Sequence, residues 1–370
     1  MIFEKIKNLN YLLIFLLILL SFIGAAGLYS AADGSYQPWA FKHLIRFYVF
    51  LLMAVFIAVI DIKFIYKYTY LIFFISLLLL ISVEIIGVLG KGATRWIRIF
   101  GFNIQPSEIV KITIILALAK YYNDLKFENI KKIINLFIPF LILGIPFVFV
   151  VLQPDLGTSL SIIILGIFIF FLAGVRIWKF LLGFLLTIIS IPIILQFIKP
   201  YQKNRIISFL NPESDPLGQG YQLIQSKIAL GSGGGIGKGF LKGTQSYLEY
   251  LPEKQTDFIF TMLAEEFGLM GGLSVIILFM VIIAYGYVIS FFIQSQFGRL
   301  LTLGMITTIF LYVFINIGMV MGLVPIVGVP LPFISYGGTA LLASMSAIGF
   351  IINCYIHRNL KINRYSNGLD

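Results

Sequence analysis

The sequence predicts an all-α polytopic membrane protein, and three observations predict it. Hydrophobic residues fill 59% of the 370 positions, charged residues only 12%, and the mean hydropathy is +1.00. A soluble domain of this size has no use for so much apolar surface. Apolar stretches recur along the chain, where a span needs about 20 residues. The short connections between them alternate in Lys and Arg content, as membrane topology requires.

The stretches are Tyr11–Tyr29, Phe47–Ile60, Tyr68–Leu89, Glu108–Tyr122, Ile133–Leu152, Thr158–Ala173, Trp178–Ile198, Gly272–Phe292, Leu300–Met321 and Ala340–Tyr355, ten in all. The first follows Lys5 and Lys7 as a signal peptide would, but its apolar core is longer, so it reads as an uncleaved span. Lys63, Lys67, Lys126, Lys131, Lys132, Arg176, Lys179, Arg299 and Arg358 fall in connections on one side. The positive-inside rule makes that side cytoplasmic, with both termini there. Residues 1–370 then form one integral membrane domain, and 199–256 its large extracytoplasmic loop. No repeat supports a duplicated transporter.

The formal charge of +11 admits nucleic acid, a membrane surface or an anionic substrate. In so apolar a chain it points to anionic lipid headgroups and not to nucleic acid. A single cysteine, Cys354, excludes an internal disulfide. No His/Cys cluster supports zinc, and no GxSxG motif supports a hydrolase. The glycine-rich run Gly231–Gly239 imitates a phosphate loop but fails its spacing: the first required Gly is Ser232, and Gly239 follows Lys238. It reads as a flexible loop.

Two connections on the outer side break the charge rule. One carries Lys91, Arg95 and Arg98; the other is the large loop. An anionic ligand outside the bilayer explains both. The stretch Thr244–Leu269 holds five of the sixteen acids: Glu249, Glu253, Asp257, Glu265 and Glu266. Acids beside a hydrocarbon core are costly and call for a function. Asp257–Phe267 reads as a short helix at the outer interface, with Asp257 near its N-terminus, where the dipole favours a carboxylate. Glu108 and Lys111, spaced i, i+3, face one side of the fourth span. Asp155 opens the sixth. The last outer connection, around Pro325–Gly338, has no charge. Each residue has a plainer reading too: Glu108–Lys111 as a structural pair, Asp155 or Asp257 as helix caps, the arginines as headgroup contacts.

Five motifs, Lys91–Ile97 (KGATRWI), Gln105–Lys111 (QPSEIVK), Gln153–Gly157 (QPDLG), Leu251–Leu269 and Pro325–Thr339 (PIVGVPLPFISYGGT), together resemble the RodA/FtsW (SEDS) family of bacterial membrane proteins. Gly243–Ser246 and Val327–Pro332 sit nearer the RodA side of it. The resemblance spans nearly the whole chain. It implies a peptidoglycan glycosyltransferase that polymerises lipid II into a growing glycan strand beside a class B penicillin-binding protein. It also implies that Asp257 is the essential aspartate and Glu108–Lys111 a functional intramembrane pair.

Inverting transfer suits a carboxylate base at Asp257. Lys91, Arg95, Arg98, Glu108, Lys111 and Asp155 are the expected substrate-binding groups. A divalent cation, magnesium or manganese, is compatible with acids beside phosphates, although no ligand spacing marks a site. Two rival readings remain at this stage: a lipid II flippase, and a non-catalytic scaffold that activates the penicillin-binding protein.

Overall fold

The computed structural model describes residues 2–90, 93–99, 101–197, 200–215, 218–247 and 250–362; Lys91, Lys199 and Glu249 lie outside them. A short helix α1 (Ile2–Lys7) precedes α2 (Tyr11–Ala31), α3 (Ala40–Val59) and α4 (Ile62–Ile86). Strands β1 (Val88–Gly90), β2 (Ala93–Ile99) and β3 (Phe102–Ile104) lead into α5 (Pro106–Asp124) and the single turn α6 (Phe127–Ile130). Then come α7 (Phe137–Leu152), α8 (Leu156–Leu172), α9 (Ile177–Phe197), α10 (Pro200–Leu210), α11 (Gln219–Ser232) and α12 (Thr244–Tyr247). The chain closes with α13 (Ile259–Phe291), α14 (Gln296–Met321) and α15 (Gly338–Ile356).

Each of the ten apolar stretches lies largely within a helix, although Tyr68–Leu89 runs past α4 into β1. Among the described residues, seven helices are long and apolar enough to cross a membrane: α2, α3, α4, α7 with the turn before it, α13, α14 and α15. Helix starts follow local chemistry. Asn10 accepts from the Leu13 amide, Asp61 from that of Lys63 and Ser295 from that of Gly298, each satisfying an orphan donor. Most of α14 is buried, and it packs on α5, α8, α13 and α15 at the centre of the bundle. Leu12, Phe15, Leu52, Phe56 and Phe74 instead point outward, as side chains facing lipid do.

The connection between α4 and α5 is a three-stranded antiparallel meander, ordered β1-β2-β3. Ile97 pairs with Ile104 and Arg98 with Asn103. Ile97 turns inward and Arg98 outward, the period-two alternation of a half-buried strand. A short connection with this alternation lowers its backbone cost by pairing with itself.

The segment between α9 and α13 is more ordered than its Gly, Pro and Asn content predicts. Asp215 accepts from the Ser208 hydroxyl (2.9 Å) and the Gly220 amide (3.3 Å), joining α10 to α11. The Ser208 bond, ahead of opposing desolvation, holds the Asp215 carboxyl below its ordinary range.

The glycine-rich run is not a free loop. At Gly268 (φ 67°, ψ −164°) helix α13 breaks. A continuous helix would bond the Leu269 and Met270 amides to the carbonyls of Glu265 and Glu266. Here Lys238 N and Gly239 N take those two carbonyls (3.1 and 2.9 Å). Gly234 O and Gly235 O take the two amides (2.8 and 3.2 Å). The approach is so close that a Cβ on Gly237 would lie 2.2 Å from Glu266 O, so only glycine fits. The expected short helix therefore exists, as residues 259–267, starting two residues later than expected and with most of its side chains buried within the molecule.

Candidate active site

The uncharged connection between α14 and α15 organises the site. Helix α14 ends at Gly322 in the left-handed conformation (φ 74°), a common helix stop. The chain then runs across several helices. Val327 abuts Gly157 at the start of α8, and the Ile334 backbone lies against Gly24 of α2. Arg46 of α3 stacks over the Tyr336 ring at 4.7 Å. Thr339 accepts from the Gln105 amide (3.3 Å) and donates to Asn103 O (3.1 Å), tying the connection to β3 and α5.

The same connection grips the turn that carries Asp257. Ser335 Oγ donates to Thr256 O (2.5 Å) and Tyr336 N to Gln255 O (2.9 Å). Asn316 Nδ2 donates to both Asp257 O (2.9 Å) and Val329 O (2.7 Å). Asp257 is half-buried and stands just outside α13, whose N-cap position falls on Phe258. Its carboxylate lies against Gly328 (φ 71°), where a Cβ would sit 3.4 Å from Asp257 Oδ2. The Asp257 peptide is therefore held in place, and its carboxylate lies on a partly open surface beside Gly328.

The other candidates fall into two groups. Lys111 Nζ meets Glu108 Oε1 at 2.8 Å, both nearly fully buried. The Tyr312 hydroxyl donates to the other oxygen of Glu108, and its ring lies 4.3 Å from the ammonium. A buried pair repays desolvation only when further bonds satisfy it, and Tyr312 provides one. In the second group, Arg95 donates to Gln153 O (3.1 Å) and Pro154 O (2.6 Å), with Asp155 at 4.0 Å. Asp155 caps α8 through the Thr158 amide (3.1 Å) and accepts from Gln105 Nε2 (2.8 Å). Arg95 and Asp155 thus brace the Gln153–Asp155 turn. Arg98 stands apart and exposed, 3.4 Å from Asn103 Oδ1. Lys91, outside the described residues, is not placed.

Sequence reasoning missed Tyr312 and Asn316, one turn apart on α14. Polar residues spaced i, i+4 in an apolar helix were the available signal. Glu265, singled out in the acidic stretch without its partners, is fully buried and accepts at Oε1 from Lys238 (2.7 Å), Thr244 (3.1 Å) and the Gln245 amide (3.1 Å). Glu266 is bonded by Ser30 of α2. These two acids hold the glycine-rich run and α2 to the short helix. Among the described residues no three His, Cys, Asp or Glu side chains gather to hold a metal.

The fold and these clusters define a helical integral membrane protein with a carboxylate at one end of the bundle. The cell cycle protein family model for FtsW, RodA and SpoVE matches residues 7–360, and the chain belongs to that family. It is 44% identical over 292 residues to the peptidoglycan glycosyltransferase MrdB of Escherichia coli K12, covering 78% of each chain. It is 38% identical to a probable peptidoglycan glycosyltransferase FtsW of Wigglesworthia glossinidia brevipalpis, covering 98% of this chain and 96% of that one. Its structure superposes with a TM-score of 0.82 on a chain solved in a peptidoglycan synthase complex that coordinates polymerization and crosslinking. That match has 28% identity and covers 95% of this chain and 98% of the other.

Proposed function

We infer that this chain is a peptidoglycan glycosyltransferase that polymerises lipid II at the outer face of the cytoplasmic membrane, serving elongation and cell shape. Family membership and glycosyltransferase relatives support the reaction class. The observation that supports the site is the Asp257 carboxylate, which lies beside Gly328 on a peptide held in place. The Lys and Arg distribution supports ten crossings with both termini inside. The neighbouring peptidoglycan synthase complex supports a partner that crosslinks strands, and we assign a class B penicillin-binding protein to that role.

In the reaction an acceptor sugar hydroxyl attacks the anomeric carbon of the donor, and a lipid pyrophosphate leaves. The Asp257 carboxylate takes the hydroxyl proton as attack proceeds, a contribution of about 10²–10⁴-fold. Lys111 is committed to Glu108 and Arg95 to backbone carbonyls, so of the expected cations with described positions Arg98 is left to meet the pyrophosphate. Glu108, Lys111, Arg95 and Asp155 shape the wall behind it. Among the described residues no group of acids gathers to hold a metal, so a magnesium or manganese ion would arrive with the substrate phosphates and leave Asp257 free as base. Such an ion supplies charge neutralisation to the leaving group.

The test uses purified protein with its partner in detergent, the partner's transpeptidase serine disabled, and labelled lipid II. Glycan that forms with the native chain and disappears in Asp257→Asn identifies a polymerase, because detergent offers no two sides to flip between. Near-normal glycan from Asp257→Asn removes Asp257 as base. Glycan formation that needs only the partner leaves the chain as a scaffold.

A further inference from the structure

We propose that Asn316 is a positioning residue for the reaction, setting where the Asp257 carboxylate stands relative to Gly328. The proposal rests on the reading of Asp257 as the base. Asn316 is fully buried on α14, and its Nδ2 donates to Asp257 O and to Val329 O. Only the NH2 end of an amide can serve two carbonyls, so the orientation of the side chain is fixed.

That orientation leaves Asn316 Oδ1 buried with no protein hydrogen-bond partner. Both acceptors of Nδ2 are backbone carbonyls beside the reacting group. One belongs to Asp257 itself. The other belongs to the residue after Gly328, whose Cα flanks the Asp257 carboxylate.

The amide therefore sets the separation between the peptide that carries the base and the peptide that walls it in. Ser335 and Tyr336 fix the two residues before Asp257, Thr256 and Gln255, from the same connection. One turn earlier on α14, Tyr312 is tied to Glu108, so the helix cannot rotate to release the clamp without breaking that bond. A displacement near 1 Å at a reacting group costs about 10²-fold in rate.

The experiment compares Asn316→Ala and Asn316→Gln in the full-length protein with its partner, on labelled lipid II in detergent. Rates are taken at matched folded fraction from thermal unfolding. Alanine removes the donor; glutamine keeps it but moves it by one methylene. Both variants are expected to lower kcat about 10–100-fold, with KM within about threefold of the native value. A residue needed only to satisfy buried carbonyls would lower thermal stability and leave kcat of the folded fraction unchanged, and glutamine would restore part of that stability. A kcat within threefold of native in either variant overturns the clamp. Asp257→Asn is measured alongside, because its retention of activity would sink the base assignment whatever Asn316 does.

Discussion

The Tyr312 hydroxyl donates to the Glu108 carboxylate inside the bundle, and through that bond α14 is fixed to α5 at the level of Lys111. Removing the hydroxyl in Tyr312→Phe keeps the ring against the ammonium but leaves one Glu108 oxygen without its donor. The expected loss is about 1.5–3 kcal/mol, the range for a hydrogen bond to a charged group. Lys111→Met should cost more, about 3–5 kcal/mol, because it leaves the carboxylate buried without its cation. Thermal unfolding in detergent ranks the two, and the reverse ranking would mean that Lys111 is not the main compensation for Glu108.

Gly328→Ala tests the wall of the site. Its φ of 71° costs a residue with a Cβ about 1–2 kcal/mol, and the new methyl would occupy the space against Asp257 Oδ2. Polymerisation is expected to fall at least about tenfold at temperatures where the variant is still folded, since the base is displaced. Native turnover in a folded variant would show that this side of the carboxylate is not used.

Lys238→Ala should loosen the glycine-rich run. Glu265 would keep Thr244 and the Gln245 amide but lose the Lys238 ammonium, at a cost of about 3 kcal/mol. Glu265→Gln in the same background should recover part of it, because a neutral group needs no counter-charge. Protease sensitivity between 231 and 245 reports the result, and equal resistance in all three proteins would show that the backbone bonds alone suffice.

Acid should act first on the link between α10 and α11. The Asp215 carboxyl is held below its ordinary range by Ser208, so the folded state binds its proton less readily than the unfolded state does. The linked stability is full above the ordinary carboxylate range and is lost as pH falls through the lowered value. Hydrogen exchange across 200–232 should therefore accelerate as pH drops below about 4, after correction for intrinsic exchange. Ser208→Ala brings the folded-state value back toward the ordinary one, so its acceleration should be smaller and complete at higher pH, and identical profiles would place the acid response elsewhere.

Element type was legible because lipid imposes a single rule on the chain: long apolar stretches satisfy their own backbone, and each of the ten lies largely within a helix. The place of Asp257 at the edge of an apolar helix was legible, because a carboxylate there is costly. Arg95 was legible as a cation at the right end, but not its use. Two carbonyls of the Gln153–Asp155 turn occupy its guanidinium, and nothing in the spacing of 95 and 153 announces that contact. The Pro325–Gly338 connection was hardest to read, since its neighbours come from several distant parts of the chain and its grip is made largely through backbone atoms, which carry no residue signature. Glu265 and Lys238, 27 positions apart, were hidden for a related reason: their meeting depends on a helix breaking at Gly268.

That break has a consequence for the order of assembly. The two rungs missing from α13 are supplied by residues 234–239, which leave the ribosome before the helix does. When Gly268 emerges, its substitute partners are already synthesised some 30 positions upstream, and the cost of closing so short a segment is modest. A chain with this run deleted would have every reason to reseal α13 into one straight rod. The part after Gly268 would then keep its packing while the part before it swung away, carrying Asp257 with it.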